Sequence, residues 1–156
     1  MKKVFLVFLS LMFITCLAGC KESISTTEYL KINWNINISE EAKIIYELET
    51  FGGFNGDGFL YIIYELENKD LETLINNDFL YKTNLYEEKT FFLEYYIQQV
   101  NFIYPEKTGY NIPIEFQLNE NINNYYWKYI MNSEGVQFFT LIDVDFSLLY
   151  IFVLKQ

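Results

Sequence analysis

The chain has 156 residues, with 21 acidic side chains against 11 lysines and a formal charge of −10. It contains no histidine and no arginine. A protein so short of cations is not built to neutralise phosphates, which argues against nucleic-acid binding, and the missing histidine excludes Ser-His-Asp triads, Cys-His pairs and histidine-ligated zinc.

Residues 1–20 read M-K-K-V-F-L-V-F-L-S-L-M-F-I-T-C-L-A-G-C. Lys2 and Lys3 precede an apolar run shorter than the roughly 20 residues of a membrane-spanning helix. A positive start, a short apolar core and small residues before a cut are the marks of a secretory signal. The ending Leu17-Ala18-Gly19-Cys20 resembles the lipobox of bacterial lipoprotein precursors. The resemblance implies removal of residues 1–19 and a diacylglycerol thioether on Cys20. The mature chain would be lipid-anchored (with palmitate-type acyl chains) on the extracytoplasmic face of the cell membrane. Two or more acyl chains anchor durably, whereas one does so only marginally. Cys16 leaves with the signal, so no free thiol remains for a disulfide or a thiolate metal site.

Residues 20–28 are polar after the cysteine and lack periodicity. They read as a tether, and eight flexible residues span roughly 16 Å root-mean-square. Residues 29–156 suit a single domain. Residues 30–38 alternate strictly, with Ile32, Trp34, Ile36 and Ile38 on one side, which predicts a half-buried strand. Residues 42–49 alternate again, with Ile44, Tyr46 and Leu48 inward. A glycine-rich loop follows, then an apolar run over 59–66; the two runs predict a hairpin.

Asn68 caps an expected short helix over 69–77, with Leu71, Leu74 and Ile75 on one side. Residues 78–86 are ambiguous. Residues 87–103 predict a longer helix, with Phe92, Tyr95, Tyr96, Gln99, Val100 and Ile103 near one face, ended by Pro105. Residues 112–118 alternate around Pro113, which cannot donate to a ladder, so this is at most an edge strand. Three runs, 124–131, 136–144 and 148–154, are separated by tight breaks and predict an antiparallel meander. In it Phe139 and Leu141 share one face while Phe138, Thr140 and Ile142 share the other. Strands first, helical material next and strands last give an α+β domain, mostly antiparallel, with one or two helices in the middle of the chain.

The loop Gly52-Gly53-Phe54-Asn55-Gly56-Asp57-Gly58, with Phe139-Thr140-Leu141 leading to Asp145 and then Leu149-Tyr150, is similar to a pattern in some small bacterial lipoproteins. Those carry histidine where this chain has Asn55. The resemblance implies no activity and covers about a tenth of the chain.

Two groups stand out as candidate binding residues. Asn55 and Asp57, with nearby carbonyls, offer the oxygen ligands that Ca²⁺ prefers. The spacing does not match an EF-type loop, and a hairpin turn whose glycines supply positive φ explains the same residues. Tyr125, Trp127 and Tyr129 fall on one face of a strand. Exposed, they would stack sugars or a partner protein; buried, they are a core ladder. No catalytic residue, metal ligand set or cofactor motif emerges. The expected role is a non-catalytic binding or interaction module with a protein or glycan partner. Two alternatives are a carboxylate-dependent hydrolase of cell-wall glycan, for which no pair of acids is singled out, and an acidic inhibitor or self-protection lipoprotein suited to a basic target.

Overall fold

In the computed structural model, which describes residues 25–50, 58–76, 80–82, 87–103, 109–118 and 124–155, the most apolar strands lie at the centre. These are β2 (Gly58–Glu65) and β6 (Leu148–Lys155). Each is apolar at nearly every position, as a strand covered on both faces requires. β1 (Lys43–Glu49) flanks β2, while β5 (Gln137–Asp143), β4 (Tyr125–Met131) and the short β3 (Tyr81–Lys82) continue beyond β6. The order is β1-β2-β6-β5-β4-β3, and every neighbouring pair is antiparallel. The expected meander is therefore present as β4-β5-β6. The fold is α+β with a mostly antiparallel sheet. Two helices, α2 (Asn68–Ile75) and α3 (Glu87–Gln98), lie in the middle of the chain, and α1 (Thr26–Trp34) precedes the first strand.

Helices cover both faces of the sheet. On one face, Leu30 and Trp34 of α1, the following Ile36 and Ile38, and Leu74 of α2 pack on Leu60, Ile62, Tyr64, Phe138, Ile142 and Ile151. Trp34 stacks on Phe138 with ring centroids 4.4 Å apart. On the other face, Leu93, Ile97 and Val100 from α3 and its continuation pack with Ile112 and Leu118 on Phe59, Tyr61, Trp127, Phe139, Leu141 and Phe152. The expected split of β5 between two faces holds, with Phe139 and Leu141 under α3 and Phe138 and Ile142 under α1.

Five local expectations are corrected. Residues 30–34 are helical, not strand. The Ser25 hydroxyl accepts the Glu28 amide N–H at 3.2 Å, and Asn35 ends the helix in the left-handed region at φ 55°. Ser25-Thr-Thr-Glu28 has the spacing of a capping box, which overrides the strand-like alternation that follows. The alternation of burial survives only over 34–38, at the end of the helix and in the segment after it, outside the sheet, and Ile32 is 65% exposed. In β1 a bulge between Ile44 and Tyr46 turns Ile44 outward, so Ile45, Tyr46 and Leu48 meet the core instead.

The N-cap of α2 is Glu67 rather than Asn68, although Leu71, Leu74 and Ile75 face the core as expected. Finally, residues 112–118 form no strand but a 3₁₀ turn, Ile114–Phe116, on which the Pro113 carbonyl accepts the Phe116 N–H at 2.9 Å. α3 runs as expected but continues into a π-helical turn, Gln99–Ile103. Its buried stripe is Leu93, Ile97, Val100 and Asn101, one position round from the expected face, with Tyr95 exposed.

Candidate functional site

The aromatic row of β4 does not form an exposed face. Tyr125 and Trp127 are buried beneath α3, Trp127 being 4% exposed. Tyr129 is half-buried and partners Tyr96 of α3, with stacked rings 4.3 Å apart. All three belong to the core. Asn55 and Asp57 lie outside the described residues, as does Cys20. Gly58, the last residue of the glycine loop, opens β2 with φ 155°.

A different site emerges where three segments remote in sequence meet at one end of the sheet. The π turn after α3, the 3₁₀ turn and the β5–β6 turn enclose a cleft of about 540 Å³. Volumes of roughly 300–1,000 Å³ are typical of small-ligand pockets. Its polar surface comes from Asn101, Glu115, Gln117, Asp143 and Tyr150, and its apolar rim from Phe102, Ile114 and Phe146. The rim residues are 49%, 83% and 69% exposed, which places three large apolar side chains in solvent around one hollow.

Each wall is fixed by its own chemistry. Asn101 is buried and binds Leu118 twice, donating Nδ2–H to the Leu118 carbonyl at 2.7 Å and accepting the Leu118 N–H on Oδ1 at 2.8 Å. This side chain replaces the ladder that Pro113 denies the segment. Tyr61 of β2 donates its hydroxyl to the Phe116 carbonyl at 2.8 Å and ties the 3₁₀ turn to the sheet. Together these fix the segments that carry Phe102 and Ile114 to the rim.

Asp143, the last residue of β5, is 3% exposed. Its Oδ1 accepts the backbone N–H of Asp145 at 3.1 Å and of Phe146 at 3.3 Å, an Asx turn that shapes the β5–β6 connection. Ser147 completes that turn at φ 54°. Tyr125, directly opposite on β4, donates its hydroxyl to the Asp143 carboxylate. Burial pushes the Asp143 carboxyl above the usual range, against the pull of those three hydrogen bonds. Burial and then the Asp143 charge raise Tyr150 to about 12. Tyr125 is raised by the same two causes.

Perturbed titration in a cleft is a mark of functional sites. A larger hollow, about 730 Å³, lies beside α1 among Thr27, Lys31, Asn35 and Asn37 and is lined largely by exposed residues. Sequence reading missed Asp143 because it ends a strand run with no motif around it. The available signal was Asp143-Val144-Asp145, a carboxylate two residues before a turn amide, next to the Phe139-Thr140-Leu141 motif. No family model, curated protein or solved structure matches this chain.

Proposed function

We propose that the mature chain is a lipid-anchored domain on the outer face of the cell membrane and acts as a non-catalytic binding module through this cleft. The anchor rests on the signal-like N-terminus and the lipobox ending at Cys20. Among the described residues no helix is long and apolar enough to cross a membrane. The observation that carries the binding reading is the pairing of an exposed apolar rim with a buried, fixed carboxylate. Asp143 already accepts two backbone N–H groups and a tyrosine hydroxyl. A carboxylate held this way suits a standing charge better than a proton carrier.

A hydrolase of wall glycan is the second reading, favoured by the presence of Asp143 and Glu115 in one cleft. Two measurements separate these. A photo-crosslinking side chain at position 146 should trap a partner in intact cells, whereas one at position 44 on the far sheet edge should not. Equal products from both positions would refute the cleft. Release of reducing ends from purified wall glycan, lost in Asp143→Asn, would replace binding by hydrolysis. For the anchor, Cys20→Ala should move the protein out of the detergent phase or stall its processing. Unchanged partitioning and mature mass would refute lipidation.

A further inference from the structure

Both charged side chains that line the cleft among the described residues, Asp143 and Glu115, are negative. Several of the donors around them are already engaged. Asn101 is committed on both amide atoms, Gln117 gives Nε2–H to the Ile112 carbonyl at 3.0 Å, and the Asp145 and Phe146 amides point at Asp143. An anionic ligand would face two carboxylates and, among the described residues, no lysine. A neutral sugar would find its hydrogen-bond donors met but few donors in return.

An ionised carboxylate offers about four lone-pair sites. Two backbone N–H groups and the Tyr125 hydroxyl take three of them at Asp143, which leaves acceptor capacity inside a pocket where screening is weak. Phe102, Phe146 and Tyr150 bring three aromatic rings to the same cleft, and Ile114 and Leu118 add aliphatic wall. An ammonium or guanidinium is drawn to such faces as well as to the charge, while a hydrocarbon stem covers the rim.

We propose that the cleft binds an organic cation on an apolar stem, specifically a lysine or arginine side chain presented by a basic polypeptide. This identification rests on the cleft being the binding site proposed above. The polypeptide source follows from two features. The volume exceeds a single side chain, so flanking residues enter with it, and the rim of exposed apolar side chains fits a protein surface better than a small hydrated amine. The chain's acidity steers such a partner in: without Lys2 and Lys3, nine lysines stand against 21 acids.

The test is a titration of the mature, lipidated chain in detergent micelles, followed by the amide resonances of Asp145 and Phe146. The probes are N-acetyl-lysine methylamide, its arginine counterpart, the uncharged norleucine counterpart and cadaverine. The lysine and arginine probes should move both resonances saturably, at least tenfold more tightly than norleucine. The affinity should fall at least threefold between 50 and 300 mM salt. Asp143→Asn should weaken it at least tenfold. Glu115→Gln, an exposed substitution that leaves the β5–β6 turn intact, should weaken it about threefold, so the inference does not depend on the folding of the first variant. Norleucine binding as tightly as lysine would overturn the cation while leaving the cleft a binding site. Cadaverine binding tenfold more tightly than blocked lysine would overturn the polypeptide source. No shift with any probe, together with no crosslink at position 146, would overturn both the cation and the binding reading.

Discussion

At Asp143 two physical effects oppose each other. Burial raises the carboxyl pKa, and hydrogen bonds from Phe146, Tyr125 and Asp145 pull it back without restoring it. The folded value thus stands above the unfolded one, near 3.9. Between those two values the native state holds more protons than the unfolded state, so stability falls as pH rises through that window. Asn at this position keeps an acceptor for the turn amides and cannot ionise. The denaturant midpoint of the parent minus that of Asp143→Asn should therefore decline from about pH 3.5 upward and level off once the carboxyl is ionised. A difference that is constant over pH 3.5–7 would contradict the raised value. Tyr64 poses the reverse problem. Its hydroxyl is fully buried on the α1 face without a hydrogen-bond partner among the described residues, and burial with the Glu47 charge pushes it up to about 12. An unpaired buried hydroxyl costs about 1–3 kcal/mol. Tyr64→Phe should raise stability by about 1 kcal/mol, read as a higher urea midpoint. A loss of that size instead would mean that the hydroxyl is bonded through water.

Among the elements, the π turn Gln99–Ile103 does the most to build the cleft. It turns Asn101 inward to the Leu118 backbone while the adjacent Phe102 faces out to the rim. Asn101→Leu would leave the buried N–H and carbonyl of Leu118 unpaired. The expected loss is about 2–5 kcal/mol of unfolding free energy, measured by chemical denaturation. A change below about 1 kcal/mol would show that the 3₁₀ segment holds without this pair. The π turn was not legible from sequence, because its residues Q-V-N-F-I carry a helical pattern and the wider turn is set by tertiary bonds. The capping box Ser25 to Glu28 was legible, and it prevails over the alternation that follows it. That alternation is physically real over Trp34, Ile36 and Ile38, whose burial follows period two across the helix end and the segment after it, without ladder partners. Period two reports one buried face, not membership of a sheet. The bulge in β1 left no trace in composition either, since Ile44 and Ile45 are both β-branched and either fits the inner face.

For the molecule as a whole, the tight breaks between 124 and 154 specified the meander, and the continuous apolar runs of β2, β5 and β6 marked strands covered on both sides. What they left open was which layer each helix supplies, and that decided the fate of Trp127. Its burial under α3 turned the strongest aromatic candidate into core. The cleft was illegible for a related reason. It combines residues from positions 101–102, 114–118 and 143–150, and no local pattern records their meeting. The capped start of α1 has one more consequence. Because helix begins at Thr26, the polar leash behind Cys20 is shorter than the 20–28 expected from sequence. Five residues extend at most about 18 Å. Under the proposed anchoring, the domain hangs close to the headgroups by the layer that carries α1. The cleft opens on the opposite layer, with Tyr150 and Leu118. The helix nearest the leash and the cleft thus belong to opposite faces of the sheet. Under the same anchoring, a partner that reaches the cleft does so across the sheet from the lipidated end.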